Sequence, residues 1–181
     1  MTTVCTQKDY RTNSEKIEMN KALLQRIKGQ YQLNLNSDHG IYHWKRVDEI
    51  GLYLSKETGA DTTVVSLFAY LHDSKRINED YDPEHGERAA FFASELYKEE
   101  LLDITVGQLN NLVTACKFHS KSEIKPTNIT VAICWDADRL DLWRLGATPD
   151  PEFLFSSAAK SKESLEYSYH LNDPSHIKVL V

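Results

Sequence analysis

The chain has 181 residues, a formal net charge of −6 and a hydrophobic content of 41%. This length and composition fit one globular domain with a sizeable core. The acidic balance argues against a general nucleic-acid binder, because nucleic-acid binding depends on a basic surface that releases counterions. No stretch approaches the roughly 18 consecutive apolar residues of a membrane helix, and the polar start of the chain lacks the apolar segment of a signal peptide.

The chain contains three cysteines, Cys5, Cys116 and Cys134, and none of them forms a CxxC pair. A sparse and odd-numbered set indicates reduced thiols in a reducing compartment rather than a disulfide framework. We interpret Cys116 and Cys134 as small apolar core residues. Together with the lack of a membrane segment, this predicts a cytoplasmic protein with no membrane partner.

Hydrophobic spacing and capping signals predict an all-α fold, a compact bundle of about six or seven helices. The pattern divides the chain into a polar leader over 1–14, one domain over 15–160 and a C-terminal tail over 161–181. The end of that tail, 176–181, could be a packed strand or an ordered arm. In chain order, the predicted helices cover residues 15–31, 41–56, 62–75, 82–101, 105–119 and 128–145, with a short further helix beginning at Asp150-Pro151.

Local signals set several of these boundaries. Asp61 can cap the helix that follows it, and Asp82-Pro83 has the carboxylate and the proline that are typical of a helix start. Thr105 and Gln108 have the spacing of a capping box, in which two side chains and two amides bond reciprocally. Gly146 follows the last predicted helical residue of its segment and should stop that helix.

The segment over 129–135 is ambiguous in its secondary structure. Its β-branched and aromatic residues are sufficient for a strand. The apolar pattern continues through Leu140 and Trp143 without a turn signal, however, and this continuity favours a helix.

That same helix carries three carboxylates, Asp136, Asp138 and Asp141, among large apolar residues. A buried carboxylate without a partner is costly, so each must be exposed, paired, protonated or bound to a metal. Arg139 can pair with only one or two of them. We expect at least one of Asp136 and Asp141 to lie on an exposed edge, and we interpret Asp138 as a metal ligand.

The dipeptide His72-Asp73 closes the most apolar predicted helix. Neighbouring helical residues project about 100° apart, so both side chains can reach one ion placed between them. Imidazole nitrogen together with carboxylate oxygen suits Mn, Fe, Co, Ni or Zn. His43 falls on an inward stripe with Val47 and Leu54. A lone histidine there is more often a hydrogen-bonded core residue, but the other histidine and the aspartates favour a metal ligand.

His85 and His119 are candidates for second-metal ligands or substrate contacts, the alternative being structural or surface histidines. His85 lies near the positive end of a predicted helix, which disfavours its protonation and suits a ligand. His119 lies one turn after Cys116 and should point inward. His39 precedes His43 by four residues and could share its helical face, and we rank it lower as a ligand.

The order of these residues, His, His-Asp and Asp, resembles that of the HD-domain metal-dependent phosphohydrolase superfamily. His43-Trp-Lys-Arg-Val47 is similar to its first-ligand motif, Leu71-His-Asp73 to the motif that names it, and Ala137-Asp-Arg-Leu140 to its terminal motif. The likeness covers about residues 39–146. The segment 136–146 also resembles a group of small bacterial HD proteins of uncharacterised function.

The resemblance implies an enzyme that hydrolyses a phosphoester of a small phosphorylated substrate, a nucleotide or another metabolite. It implies one or two divalent metals, Mn, Fe, Co, Ni, Zn or Mg, which would lower the pKa of water and take a phosphoryl oxygen. The implied ligands are His43, His72, Asp73 and Asp138 for one metal, with His85, His119 and a bridging Asp73 for a second.

A cation should hold the remaining phosphoryl oxygens. Lys75 and Arg76, just beyond the His-Asp pair, are candidate catalytic residues for this role, as is Arg46. Each is more often found in a surface ion pair. The carboxylates that could orient the attacking water are Asp73, Glu84 and Asp141.

Two other functions fit the same residues: a di-iron oxygenase on the HD scaffold, and a non-catalytic metal- or nucleotide-binding regulatory module. The sequence also leaves open a homodimer. Several aromatic residues could form the dimer interface or, alternatively, line a ligand pocket. They are Tyr42, Tyr53, Tyr81, Phe153 and Phe155.

Overall fold

The computed structural model describes residues 20–173, and within that range the chain is all-helical, which confirms the predicted fold class. Two 3-10 helices follow the sixth α-helix, at Asp141–Leu145 and Pro151–Phe153. No helix in the described range has the length and apolar character needed to cross a membrane. The α-helices are α1 (Lys21–Gln30), α2 (Ile41–Thr58), α3 (Thr62–Leu71), α4 (His85–Lys98), α5 (Val106–Phe118), α6 (Ile129–Leu140) and α7 (Lys162–Leu171).

Two helices begin at the caps that the sequence predicts. The Asp61 carboxylate accepts hydrogen bonds from the main-chain amides of Thr63 and Val64, and it therefore caps α3. Thr105 and Gln108 form the reciprocal capping box at the start of α5. Because a capping side chain satisfies amides that have no partner inside the helix, these starts are encoded locally.

The predicted start of α4 at Asp82-Pro83 is wrong, since the helix begins at His85. The Asp82 carboxylate does not cap the helix. It accepts hydrogen bonds from the main-chain amide of Ile77 at 3.0 Å and from Arg88. Asp82 thus ties the preceding loop to α4, and this places His85 in the first turn.

Helix α3 ends at Leu71, short of the predicted end near Lys75. The amide and the hydroxyl of Ser74 both donate to the Leu71 carbonyl, at 3.0 and 2.8 Å, and so close the helix in a turn. His72 and Asp73 therefore lie immediately beyond the helix rather than inside its last turn.

The ambiguous segment 129–135 is helical, as predicted, and lies in α6. The α-helix ends at Leu140, earlier than expected, and the chain continues as the 3-10 helix Asp141–Leu145. Gly146, with φ of 73°, stops that helix in the left-handed conformation that glycine adopts without strain.

Helix α3 is the centre of the fold. Its residues from Val64 to Leu71 are all buried, and it contacts α2, α4, α5 and α6. A helix that is apolar on all sides is expected at such a position. Cys116 and Cys134 are fully buried in the same core, as predicted, whereas Cys5 lies outside the described residues.

The sequence predicts no helix at the beginning of the tail over 161–181, and the structure shows that helix α7 covers it. Helix α7 contacts α2 and the 3-10 helix Asp141–Leu145, and Tyr53 stacks on Tyr167 with ring centroids 4.2 Å apart. The predicted leader over 1–14 and the end of the tail over 176–181 lie outside the described residues.

The other candidate interface aromatics have different surroundings. Tyr81 and Phe153 are exposed, whereas Phe155 is partly buried against Trp135. Tyr42 lines a polar pocket. The homodimer therefore stays a prediction.

Helices α2 and α3 approach each other closely at Gly51. A Cβ added to Gly51 would lie 2.4 Å from Val65 Cγ1 and 3.5 Å from Ala137 Cβ. Val65 is buried and β-branched, so it has little freedom to move aside. The missing side chain at Gly51 thus allows the helices that carry His43 and His72 to lie in contact.

We expect Gly51→Ala to destabilise the protein. Overpacking costs about 1–3 kcal/mol, and the higher helix propensity of alanine offsets at most about 1 kcal/mol of this. The matched control is Gly29→Ala in α1, where an added Cβ meets nothing within 4 Å and where a gain of about 0.5–1 kcal/mol is expected. Urea unfolding of both variants measures the difference. A Gly51→Ala protein as stable as Gly29→Ala would contradict this account of the α2–α3 contact.

Candidate metal centre

Four side chains converge where α2, α6 and the end of α3 meet. His43 Nε2 lies 3.0 Å from His72 Nε2, 3.6 Å from Asp73 Oδ2 and 3.4 Å from Asp138 Oδ1. His72 Nε2 lies 3.7 Å from Asp73 Oδ2 and 3.6 Å from Asp138 Oδ1. Donor atoms about 2.1 Å from a shared ion are separated from each other by about 3–3.5 Å, so this spacing is that of a coordination sphere.

A second group of donors shares the Asp73 carboxylate. His85 Nε2 and His119 Nε2 lie 3.3 and 3.7 Å from Asp73 Oδ1, and the two nitrogens are 2.8 Å apart. Since Oδ2 faces His43 and His72 while Oδ1 faces His85 and His119, Asp73 bridges the two groups. All six residues that the sequence nominates as metal ligands therefore belong to one cluster.

The four imidazoles of this cluster are oriented by their Nδ1 atoms. Each Nδ1 faces a carbonyl or carboxylate oxygen that can only accept, so Nδ1 carries the proton and Nε2 points into the cluster. Metal-binding histidines are usually fixed in this way. The acceptors are Asp141 for His43, the carbonyls of Phe68 and Ala69 for His72, that of Asp82 for His85 and that of Cys116 for His119.

The donor atoms of the cluster that lack a hydrogen-bond partner are suited to binding divalent cations. Two pairs of Nε2 atoms face each other, His43 with His72 and His85 with His119, and such lone pairs repel unless a proton or a metal lies between them. Asp73 Oδ1 is buried and accepts no hydrogen bond from the described residues. A buried carboxylate oxygen without a partner is costly, and a metal ion between Asp73 and the imidazoles would remove that cost.

The electrostatics of the cluster favour bound positive charge. Burial alone would raise the pKa of Asp73, but the imidazoles around it, His72 foremost, hold that pKa well below its usual value. Burial also opposes ionisation of Asp138, and again His72 lowers its pKa. Burial works to lower the pKa of His72, yet Asp73 and Asp138 raise it. Both acids are thus anionic at neutral pH. They attract positive charge, which either a protonated His72 or a bound metal can supply.

Two of the histidines are neutral at physiological pH. Burial lowers the pKa of His43 to about 4, and Arg144 adds to the shift. Burial also lowers the pKa of His85 to about 4, with a contribution from His119. The neutral imidazole is the form that binds a metal.

Gly86 allows α4 and α5 to bring His85 to His119. A Cβ on Gly86 would lie 2.5 Å from the Cys116 carbonyl oxygen, 3.0 Å from that of Lys117 and 3.3 Å from His119 Cε1. The Cys116 carbonyl lies in the last turn of α5 and accepts the Nδ1–H of His119, so any movement of this carbonyl would disturb the His119 imidazole directly. The spacing of these two imidazoles therefore depends on a residue without a side chain at position 86.

Two of the three predicted phosphate-binding cations, Lys75 and Arg76, have different surroundings. Arg76 is buried, and its Nη1 lies 3.5 Å from Asp73 Oδ1, while two main-chain carbonyls of the following loop accept its other N–H groups. Lys75 Nζ instead lies 4.9 Å from the centroid of the Phe92 ring. The structure brings Arg76 to the cluster and directs Lys75 toward α4.

The expectation that Asp136 or Asp141 is exposed is wrong, since both are fully buried. Asp136 accepts hydrogen bonds from the amides of Phe155 and Ser156 and from the Ser156 hydroxyl. These bonds offset the burial of its carboxylate and fix the segment after the second 3-10 helix. Asp136 thus has a structural role that no local pattern in the sequence reveals.

Asp141 holds His43 in place. Its Oδ2 accepts the His43 Nδ1–H at 2.7 Å, and Arg46 donates Nε and Nη2 to the two Asp141 oxygens at 2.7 and 3.1 Å. Arg46, a predicted phosphate cation, is thus paired with Asp141, whose own oxygens are occupied and cannot orient water. Glu84, the other alternative for that task, is exposed and lies 3.8 Å from Arg88.

Two residues near the cluster were ranked low or missed by the sequence reasoning. His39 Nδ1 lies 2.8 Å from Asp73 Oδ2, although His39 is in the loop before α2 and not on its helical face. Arg144 was not considered, and its Nη1 lies 3.7 Å from Asp141 Oδ2. Arg144 lies three residues after Asp141 on a predicted helix, and side chains of opposite charge at this spacing can contact each other. This spacing could have identified Arg144.

No protein-family model matches the chain, and no curated protein matches its sequence. Among solved structures, the chain is similar to the crystal structure of a predicted HD superfamily hydrolase from an uncultured Thermotogales bacterium. The two share 25% sequence identity and superimpose with a TM-score of 0.64, over 89% of this chain and 91% of that one. The chain therefore has the HD-domain fold, as its His, His-Asp and Asp motifs indicate.

We expect Gly86→Ala to weaken metal binding at the His85–His119 half of the cluster by about 10–100-fold, the range found when groups that position ligands are disturbed. The half built on His43 should keep its affinity. Titration calorimetry with Mn²⁺ and metal analysis per chain measure the two sites. Gly107→Ala on α5 is the control, because its added Cβ would meet only Thr105 Oγ1 at 3.9 Å. Unchanged stoichiometry and affinity in Gly86→Ala would contradict the role of this contact.

Proposed function

We propose that this protein is a metal-dependent phosphohydrolase that cleaves a phosphoester of a small substrate, a nucleotide or another phosphorylated metabolite. The observation that carries the proposal is the buried Asp73 carboxylate, each of whose oxygens faces a pair of imidazole Nε2 atoms. The likeness to a predicted HD superfamily hydrolase supports the reaction class.

The donor set supports one or two divalent cations, Mn, Fe, Co, Ni, Zn or Mg. A divalent cation would supply Lewis acidity here, polarising a phosphoryl oxygen and lowering the pKa of water. The protein contributes neutral imidazoles and ionised carboxylates, the forms that burial and mutual attraction already favour. The proposed ligands are His43, His72, Asp73 and Asp138 on one side, and Asp73, His85 and His119 on the other.

Arg76 is the residue best placed to hold the phosphoryl group. A guanidinium presents several donors in a rigid fork that matches phosphate oxygens. Main-chain carbonyls of Asn78 and Asp80 fix Arg76 before any substrate arrives. His39 donates its Nδ1–H to Asp73 Oδ2 and so restrains the carboxylate. Of the carboxylates considered for orienting water, only Asp73 lies in the cluster with an oxygen that accepts no hydrogen bond.

The same six donors support a second candidate, a di-iron oxygenase, because His85 and His119 both reach Asp73 Oδ1 and complete a site for a second metal. A redox-active iron pair without phosphoester turnover would decide for the oxygenase. A full complement of metal without either activity would indicate a binding or regulatory module.

The first test of the hydrolase compares two identical exchanges on α6. We expect Asp138→Asn to lower phosphoester turnover by at least about 100-fold, because it removes an anionic donor from the cluster. Asp136→Asn is the matched control: it weakens contacts to residues 155–156, so stability should fall while turnover per folded molecule persists. Purified proteins would be assayed with a panel of nucleotides and simple phosphoesters, each with six metals in turn.

Unfolding curves and metal content, recorded for both variants, separate a loss of chemistry from a loss of fold. The proposal is contradicted if Asp138→Asn retains wild-type turnover at saturating metal, or if metal-loaded wild-type protein hydrolyses no member of the panel.

The second test separates the adjacent cations. We expect Arg76→Ala to lower kcat/KM by about 100-fold, since it removes a preorganised donor beside the reacting group. Arg76→Lys should recover only part of the lost kcat/KM. Lys75→Ala should cost less than about tenfold, because Lys75 Nζ lies against Phe92 and not at the cluster. Steady-state kinetics on the best substrate measures both. Greater damage from Lys75→Ala than from Arg76→Ala would refute this assignment.

A further inference from the structure

A pocket of about 280 Å³ lies beside the Asp141 anchor, and none of the six cluster residues lines it. Its wall is formed by the loop before α2, by the first turns of α2, by the first 3-10 helix and by the residue that follows α7. Its volume is near the lower limit for small-molecule sites. The residues that matter for its chemistry are Asn36, Tyr42, Arg46, Trp143, Arg144 and Asn172.

The pocket has two buried guanidinium groups that share one carboxylate. The side chains of Arg46 and Arg144 are only 6% and 7% exposed. Arg46 makes two hydrogen bonds to Asp141. Arg144 donates to two main-chain carbonyls, those of Asp38 and Asp141, and its Nη1 lies 3.7 Å from Asp141 Oδ2. Neutral carbonyls do not cancel its charge.

Asp141 cannot neutralise both arginines. Its oxygens also accept hydrogen bonds from His43 Nδ1 and from Asn172 Nδ2. Asp38 lines the pocket, but it is exposed and contributes its main-chain oxygen to Arg144. Among the described residues, Asp141 is thus the carboxylate that both buried guanidinium groups share. Excess buried positive charge is costly, so the pocket favours an anionic ligand.

We propose that this pocket binds the phosphate group of a small metabolite, independently of the metal centre, with Arg144 as its principal cation and Arg46 beside it. Guanidinium groups match phosphate oxygens in geometry as well as charge. The pocket is larger than one phosphate needs, and Tyr42 and Trp143 provide aromatic surface for the rest of the ligand. The site lies outside the proposed hydrolytic centre and does not depend on it.

The test uses the full chain after chelator treatment and dialysis, so that no metal can hold phosphate at the cluster. Inorganic phosphate is titrated at low ionic strength, and tryptophan fluorescence is followed. Trp44 and Trp135 are fully buried whereas Trp143 lines the pocket, so the signal should be saturable and should disappear in Trp143→Phe. Calorimetry on the Trp143→Phe variant should still detect binding.

We expect Arg144→Gln to weaken phosphate binding by more than about tenfold, the loss typical of one charge-assisted hydrogen bond. Arg26→Gln is the control, because Arg26 pairs with Glu99 at the surface, does not line the pocket and should leave the affinity unchanged. Absence of saturable phosphate binding, or equal affinity in Arg144→Gln and Arg26→Gln, would overturn the proposal.

A second variant covers the case in which Arg144→Gln does not fold. Asn36 is exposed, so Asn36→Asp changes charge without disturbing the core, and repulsion should weaken phosphate binding by about threefold or more. Unchanged affinity in this variant would overturn the proposal. Acetate and sulfate are titrated in parallel: weaker binding of acetate supports a phosphate-type ligand, and tighter binding of acetate rejects it.

Discussion

The charge of the Asp73 carboxylate, buried at the centre of the bundle, is the constraint on which the rest of the structure depends. Burying such a charge without compensation would be costly relative to the small net stability of a folded domain. The fold compensates by directing five imidazoles and one guanidinium toward it, from the loop before α2, from α2 and α4, and from the residues that follow α3 and α5. These elements must meet closely, and Gly51 and Gly86 are the positions at which a side chain would keep them apart.

The aspartates at the end of α6 show how one residue type takes three roles on neighbouring turns. Asp136, Asp138 and Asp141 project in different directions because successive residues rotate by about 100°. Asp136 ties down the segment at 155–156, Asp138 enters the metal cluster, and Asp141 fixes His43 from behind. Burial raises the pKa of Asp136. Burial also acts to raise the pKa of Asp141, but the His43 imidazole and the Arg46 guanidinium lower it. The same sequence pattern therefore provides a stabilising contact, a candidate metal donor and a group that orients a histidine.

Sequence could predict the features that depend on local chemistry. The caps at Asp61 and Thr105, the helical nature of 129–135 and the inward histidines all follow from spacing and side-chain type. The errors arose where a distant partner decides. Asp82 resembles a cap but is engaged by Ile77 and Arg88. The position of a charged side chain beyond α3 depends on the conformation of the loop. The periodicity of hydrophobic residues does not encode that conformation.

The loop before α2 connects the two charged regions of the molecule. His39 contacts Asp73 in the metal cluster, while the neighbouring Asp38 carbonyl accepts a hydrogen bond from Arg144 beside the pocket. The loop packs closely against the start of α2, since Ile41 donates to the Leu35 carbonyl at 2.7 Å and a Cβ at Gly40 would lie 2.2 Å from that oxygen. In the functions proposed here, a chain with a net charge of −6 would attract anions through buried arginines at fixed positions, and not through its overall surface charge.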